Sequence, residues 1–147
     1  MSDIKQLKSQ YQKIVDTHSP KNNVLKNSLR AFWVGGAICT FGQGLTDLYK
    51  YYGMETDDAK MLTTVSLILI STILTAFNVY DKIGQYGGAG SLIPITGFAN
   101  SMVSSAMEFK KEGYIYGLGS KLFVVAGPVI VFGTLASVIV GIIYYLV

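Results

Sequence analysis

The sequence predicts a small all-α membrane protein with about four helical membrane segments, and three features predict it. Of its 147 residues 50% are hydrophobic and only 14% are charged, against about 25% charged in ordinary soluble domains, too few to cover a water-facing surface. Two uncharged runs, 20 residues from Met61 to Tyr80 and 26 residues from Leu122 to the C-terminus, are each long enough for a hydrocarbon core of about 30 Å at 1.5 Å per residue. The third feature is charge placement, because the net +3 is not spread evenly along the chain.

Residues 1–30 hold six basic side chains (Lys5, Lys8, Lys13, Lys21, Lys26, Arg30) against Asp3 and Asp16, whereas the remaining chain holds six basic against seven acidic. A basic leader suits either a nucleic-acid arm or a cytoplasmic flank held back by the positive-inside rule. Apolar sequence follows Arg30 directly, which favours the flank and leaves no nucleic-acid partner expected. The same arithmetic excludes disorder, which needs low hydrophobicity and high net charge. Cys39 and His18 are the only residues of their kinds, so neither a disulfide framework nor a His/Cys metal site can form within one copy. The length fits one domain, and a cleaved signal peptide is not expected, since thirty polar residues precede the first apolar run.

The chain divides into a basic amphipathic region, 1–30, and a helical membrane domain, 31–147. Ile4, Leu7, Tyr11, Ile14 and Val15 recur at helical spacing with lysines on the other side, so residues 2–18 read as an amphipathic helix. It rests either on the membrane surface or on the protein's own cytoplasmic face. Ser19, Pro20, Asn22 and Asn23 punctuate it, and a second polar helix or loop leads to the membrane. The first membrane segment, 31–52, is unusual in carrying Gly35, Gly36, Gly42 and Gly44 with Gln43, Thr46 and Asp47. Such glycines let a neighbouring helix come close or let the helix break. The loop 53–60 is acidic, as an outside loop would be, and 61–80 is the most secure span. Asn78 near its end reads as an interfacial or packing residue, and Asp81 and Lys82 return the chain to water.

The third segment, 87–109, opens on Gly87, Gly88 and Gly90 and predicts a helix from Pro94, which lacks the N–H that a helix start leaves unpaired. Only about 16 residues remain to Phe109, short for a complete span. In the fourth, 114–147, Gly127 and Pro128 predict a hinge, because proline removes one backbone hydrogen bond. Gly35-Gly36-Ala37 and Gly87-Gly88-Ala89 echo one another, a weak hint of the paired interrupted helices by which many transporters mark a central site.

The strongest functional pattern lies in the third segment. Thr96, Asn100, Ser104 and Glu108 stand four apart, flanked by Ser101 and Ser105, with Ile95, Phe98, Met102, Val103, Met107 and Phe109 opposite. Residues four apart share one helix face, and polar groups inside a membrane point at protein or at water. The stripe therefore lines either a polar pathway or a hydrogen-bonded helix interface. Asp47, Glu108, Glu112 and Lys121 lie near helix ends, where long side chains snorkel to the interface; intramembrane roles compete with that reading. Lys110, Lys111 and Glu112 read as a solvated turn. No catalytic constellation emerges, since the hydroxyls lack a neighbouring base, and residues 87–90 lack the Lys-Ser or Lys-Thr of a phosphate loop. No enzyme, metal or cofactor is expected.

The run Gly88-Ala89-Gly90, Pro94-Ile95-Thr96-Gly97-Phe98-Ala99-Asn100-Ser101, Glu108-Phe109-Lys110-Lys111-Glu112-Gly113 and Ala126-Gly127-Pro128-Val129 resembles the membrane subunits of the stage V sporulation protein A family of spore-forming Firmicutes, of the C/E type. The resemblance extends over essentially the whole chain and implies a channel subunit in the spore inner membrane. Such a complex moves dipicolinic acid with calcium into the developing spore and out during germination, with mechanosensitive behaviour. It implies as partners an E-type membrane subunit and the soluble D subunit, and it supplies no binding residues. A dianionic solute would be repelled by a route lined with Glu108 and Asp47 unless calcium travels with it. A pore is expected from an oligomer rather than from one chain; a non-conducting anchor that docks soluble partners through the basic leader is the alternative.

Overall fold

The computed structural model describes residues 2–18 and 23–146. It is helical, with no strand among the described residues. The punctuation at Ser19, Pro20 and Asn22, together with Lys21 and Val147, lies outside the described residues.

α1 (Ser2–His18) forms as its spacing predicts. Its apolar stripe is not laid against the rest of the chain, since Ile4, Leu7, Tyr11 and Ile14 are all exposed, as a helix resting on a lipid surface would leave them.

α2 runs from Val24 to Tyr51 without a break, so the polar helix or loop expected to lead into the segment at 31 is the first part of the same helix. The side chain of Asn23 accepts from Lys26 N at 3.2 Å and caps it, satisfying one of the donors that a helix start leaves free. Polar residues 24–30 mark where apolar surroundings begin, not where the helix begins. α3 (Thr56–Ala76) returns antiparallel to α2, fastened by Thr46 Oγ1 to Thr63 Oγ1 at 2.9 Å and Tyr49 OH to Ser66 Oγ at 2.8 Å.

This hairpin is packed with its polar side in. Ala59, Thr63, Ser71 and Thr75 are the buried residues of α3, while Met61, Leu62, Val65, Leu69 and Ile73 are exposed. Small residues inside and large apolar ones outside are the arrangement of helices surrounded by lipid, where close backbone approach and hydroxyl bonds supply association. α3 and the continuous helical stretch Tyr114–Leu146 are each long and apolar enough to cross a membrane.

α3 ends at Ala76, short of the predicted 80. Asn78 takes a left-handed conformation, φ 56°, which asparagine tolerates better than other side chains, and so it turns the chain instead of continuing the span. α4 (Tyr80–Gly87) and α5 (Ala89–Leu92) then fold back against α2, and α6 (Ile95–Phe109) starts after an extended Pro94, as predicted. Ser71 bonds to Thr96 and Thr75 to Asn100, both 25 residues apart. In an antiparallel pair the second bond would be about 12 Å out of register, beyond the reach of Thr and Asn side chains, so α6 runs parallel to the last turns of α3. At about 22 Å, α6 is shorter than a hydrocarbon core of about 30 Å.

A 3₁₀ turn (Lys110–Glu112) and a π-helical turn (Tyr114–Gly119) lead into α7 (Ser120–Leu146). Pro128 sits inside an unbroken helix; the departure from α geometry falls at 114–119, where Leu118 N bonds to Gly113 O at 2.9 Å. Of the kink or break expected at Gly127 and Pro128, the break does not occur, because the helix continues through both residues.

The charge asymmetry predicts that the α2–α3 turn lies outside. A cysteine replacing Asp57, whose side chain is 95% exposed, is expected to react with an impermeant thiol reagent added from outside once Cys39 is removed. Labelling confined to the inside would reverse the topology.

Candidate functional site

The predicted polar stripe of α6 divides in two. Its N-terminal half faces α3 and α4 and is closed. Thr96 is buried; its carbonyl accepts from Ser71 Oγ at 2.6 Å, and its hydroxyl accepts from Tyr80 OH at 2.8 Å. Tyr80, itself buried, also donates to the Ser91 carbonyl at 2.8 Å. Asn100 is half-buried, and its Oδ1 accepts from Thr75 Oγ1 at 2.9 Å, while Thr75 also donates to the Ser71 carbonyl at 2.7 Å. Among the described residues no buried side-chain nitrogen or oxygen lacks a partner. These hydroxyls therefore bond to one another and to the backbone across the contact of α6 with α3 and α4, the kind of bonding a helix interface uses.

The C-terminal half is different. Ser104, half-buried, donates to the Ser101 carbonyl of its own helix at 3.3 Å, and Glu108 is exposed. α6 outruns α3 here, so the stripe continues past the helix that covers it. Asp47 is exposed on α2, accepting from Gln43 Nε2 at 2.9 Å. Lys121 packs its ammonium 4.2 Å above the Phe109 ring, a cation–π contact at the α6–α7 bend. Asp47, Lys121 and Glu108 thus occupy separate places and form no common charged site. Lys110, Lys111 and Glu112 are exposed in the turn.

The seam depends on residues that the spacing of α6 alone does not mark. Tyr80 and Ser91 lie outside any apolar periodicity, and Ser71 and Thr75 read as ordinary members of the secure span. The available clue is that Thr63, Ser71 and Thr75 fall eight and four apart, on one helix face. Glycines let the seam form. A Cβ at Gly97 would lie 2.4 Å from the Leu92 carbonyl oxygen, and one at Gly90 would lie 2.0 Å from that of Ala31. The two glycine-rich segments that echo one another meet here, with Gly35 against Gly90 and Val34 against Gly87.

Asn100→Leu is expected to lower abundance or melting temperature by the equivalent of about 1 kcal/mol, the low end for a lost buried bond, because Thr75 keeps its bond to Ser71. Full abundance with an unchanged melting temperature would show that the Thr75–Asn100 bond does not hold α6 to α3.

The sequence model of the SpoVAC/SpoVAEB sporulation membrane protein family matches residues 27–143. The chain is also similar to stage V sporulation protein AC of Bacillus subtilis (strain 168), 47% identical over 140 residues that cover 95% of this chain and 93% of that relative. No solved structure matches it.

Proposed function

Because this chain belongs to the SpoVAC/SpoVAEB sporulation membrane protein family, we propose that it is a membrane subunit of a channel for dipicolinic acid and its calcium complex. It would serve uptake during sporulation and release during germination across the spore inner membrane, and open under tension. The observation that supports this reading is the combination of a closed seam with open faces. One chain uses its interior hydroxyls for packing, while α7 buries none of its residues and Glu108 stands exposed. A conduit then forms where such faces meet those of other copies or of an E-type subunit, with Ser104 and Glu108 as this chain's contribution to its wall.

Glu108→Gln tests that assignment. An exposed carboxylate can be neutralised with little change in shape, so abundance is expected to stay within experimental error. Dipicolinate flux through liposomes containing the complex should lose part of its dependence on calcium, because the charge that repels the free dianion is gone. Unchanged flux and unchanged calcium dependence would remove Glu108 from the pathway.

A second reading is favoured by α1, whose uncovered Leu7 and Tyr11 accompany the exposed Lys8 and Lys13. In it the chain is a non-conducting anchor that docks the soluble D subunit. Liposomes holding the purified chain alone separate the two: solute flux or tension-gated current supports conduction, and silence with retained partner binding supports the anchor.

A further inference from the structure

An open crevice of about 660 Å³ lies between α2, α3 and α4, lined by Trp33, Ala37, Leu74 and Ile83 with Lys82 and Tyr86 at one end. That volume is in the range of small-molecule sites, about 300–1,000 Å³. Trp33 and Tyr86 also border an adjoining hollow of about 350 Å³ that holds Lys26 and Arg30. Arg30 lays its guanidinium 4.9 Å from the centre of the Tyr86 ring. The apolar crevice therefore runs past two aromatic rings into a basic hollow.

No carboxylate lines either space. The one ion pair among the described residues is Lys60 with Asp57, at the other end of the α2–α3 hairpin. Lys26, Arg30 and Lys82 are thus three cations without an anionic partner among the described residues, gathered where the apolar part of α2 begins. The charge asymmetry places this end at the cytoplasmic leaflet, whose surface is negative. An apolar helix seated in the crevice would leave Lys82 unpaired beside it. A molecule with a long apolar tail and a phosphate at one end satisfies both parts.

We infer that this crevice binds an anionic phospholipid, with an acyl chain between α2, α3 and α4 and the phosphate among Lys26, Arg30 and Lys82. The crevice reaches Ser71 and Thr96 of the seam at its inner wall and does not include Glu108. It ties the position of α4, and through Tyr80 the seam itself, to the lipid of one leaflet.

Trp33 is the only tryptophan in the chain, so the full-length protein carries its own probe. In vesicles of mixed phosphatidylglycerol and phosphatidylcholine, with dibrominated chains on one lipid at a time, brominated phosphatidylglycerol is expected to quench Trp33 at lower mole fraction. The relative binding constant should be about fivefold or more, since each basic residue near an anionic surface contributes about that factor. Lys82→Gln and Arg30→Gln should each bring the ratio towards one, and Lys60→Gln, at the far end, should leave it unchanged. Ala37→Phe, which fills the crevice, should reduce quenching by phosphatidylglycerol while the cations remain. Equal quenching by the two lipids, a preference that survives both cation variants, or quenching by neither lipid, as a second copy or another helix covering Trp33 would give, each overturns the assignment.

Discussion

Replacing Gly90 by alanine is expected to dislodge α5 from α2 and to destabilise the protein by about 3 kcal/mol or more, the upper end for overpacking. The added methyl would sit 2.0 Å from the carbonyl oxygen of Ala31, 2.7 Å from its carbonyl carbon and 2.8 Å from its Cα. All three are backbone atoms in the middle of a helix, so no rotamer change can relieve the contact. Either α2 bends or α5 withdraws, and withdrawal carries Ser91 away from Tyr80. Gly36→Ala makes the matching control. Gly36 lies in the same α2 but faces open space, and alanine there should stabilise by about 0.5–1 kcal/mol through lower chain entropy. Thermal unfolding in detergent reads both substitutions. Opposite signs are expected, and a Gly90→Ala protein as stable as the wild type would mean that α5 does not seat on α2.

The second large effect is expected from Tyr80→Phe. Ring volume is kept, so no cavity opens, but one buried donor is lost from two acceptors, Ser91 O and Thr96 Oγ1. The Thr96 hydroxyl can rotate to donate elsewhere; the Ser91 carbonyl, on a residue 0% exposed, has no such freedom. The expected loss is about 1–3 kcal/mol. Amide exchange should accelerate in α5 and the first turn of α6 before it does in α2, because Tyr80 joins those elements. Uniform acceleration, or none, would show that the phenol is not what joins them.

Much of the helix inventory was legible, and particular residues explain what was not. Pro94 announced the start of α6 because proline's fixed φ and missing N–H suit only a few places. The end of α3 was hidden, since 61–80 is uncharged throughout and hydrophobicity reports tolerance for lipid, not helicity. Only Asn78, through its left-handed turn, separates α3 from α4. The stripe from Thr96 to Glu108 lies on one helix, α6, but passes from buried to exposed along it. Periodicity places residues on a face without saying what that face meets, and the answer depended on Tyr80 and on the direction of α6 relative to α3. Pro128 illustrates the same limit: the sequence marks a missing hydrogen bond, and the helix nonetheless continues through it.

The long helices α2 and α7 end alike. Both places bear exposed tyrosine pairs, Tyr51 with Tyr52 and Tyr144 with Tyr145, as an aromatic girdle at one membrane–water boundary would. Tyr114 and Tyr116, at the opposite end of the α7 stretch, are exposed as well. Twenty-eight residues separate Tyr116 from Tyr144, roughly 42 Å of helix, close to the full thickness of a bilayer with its headgroups, about 40–45 Å. Exposed aromatic pairs at both ends of the α7 stretch thus match the two boundaries that a single crossing would meet.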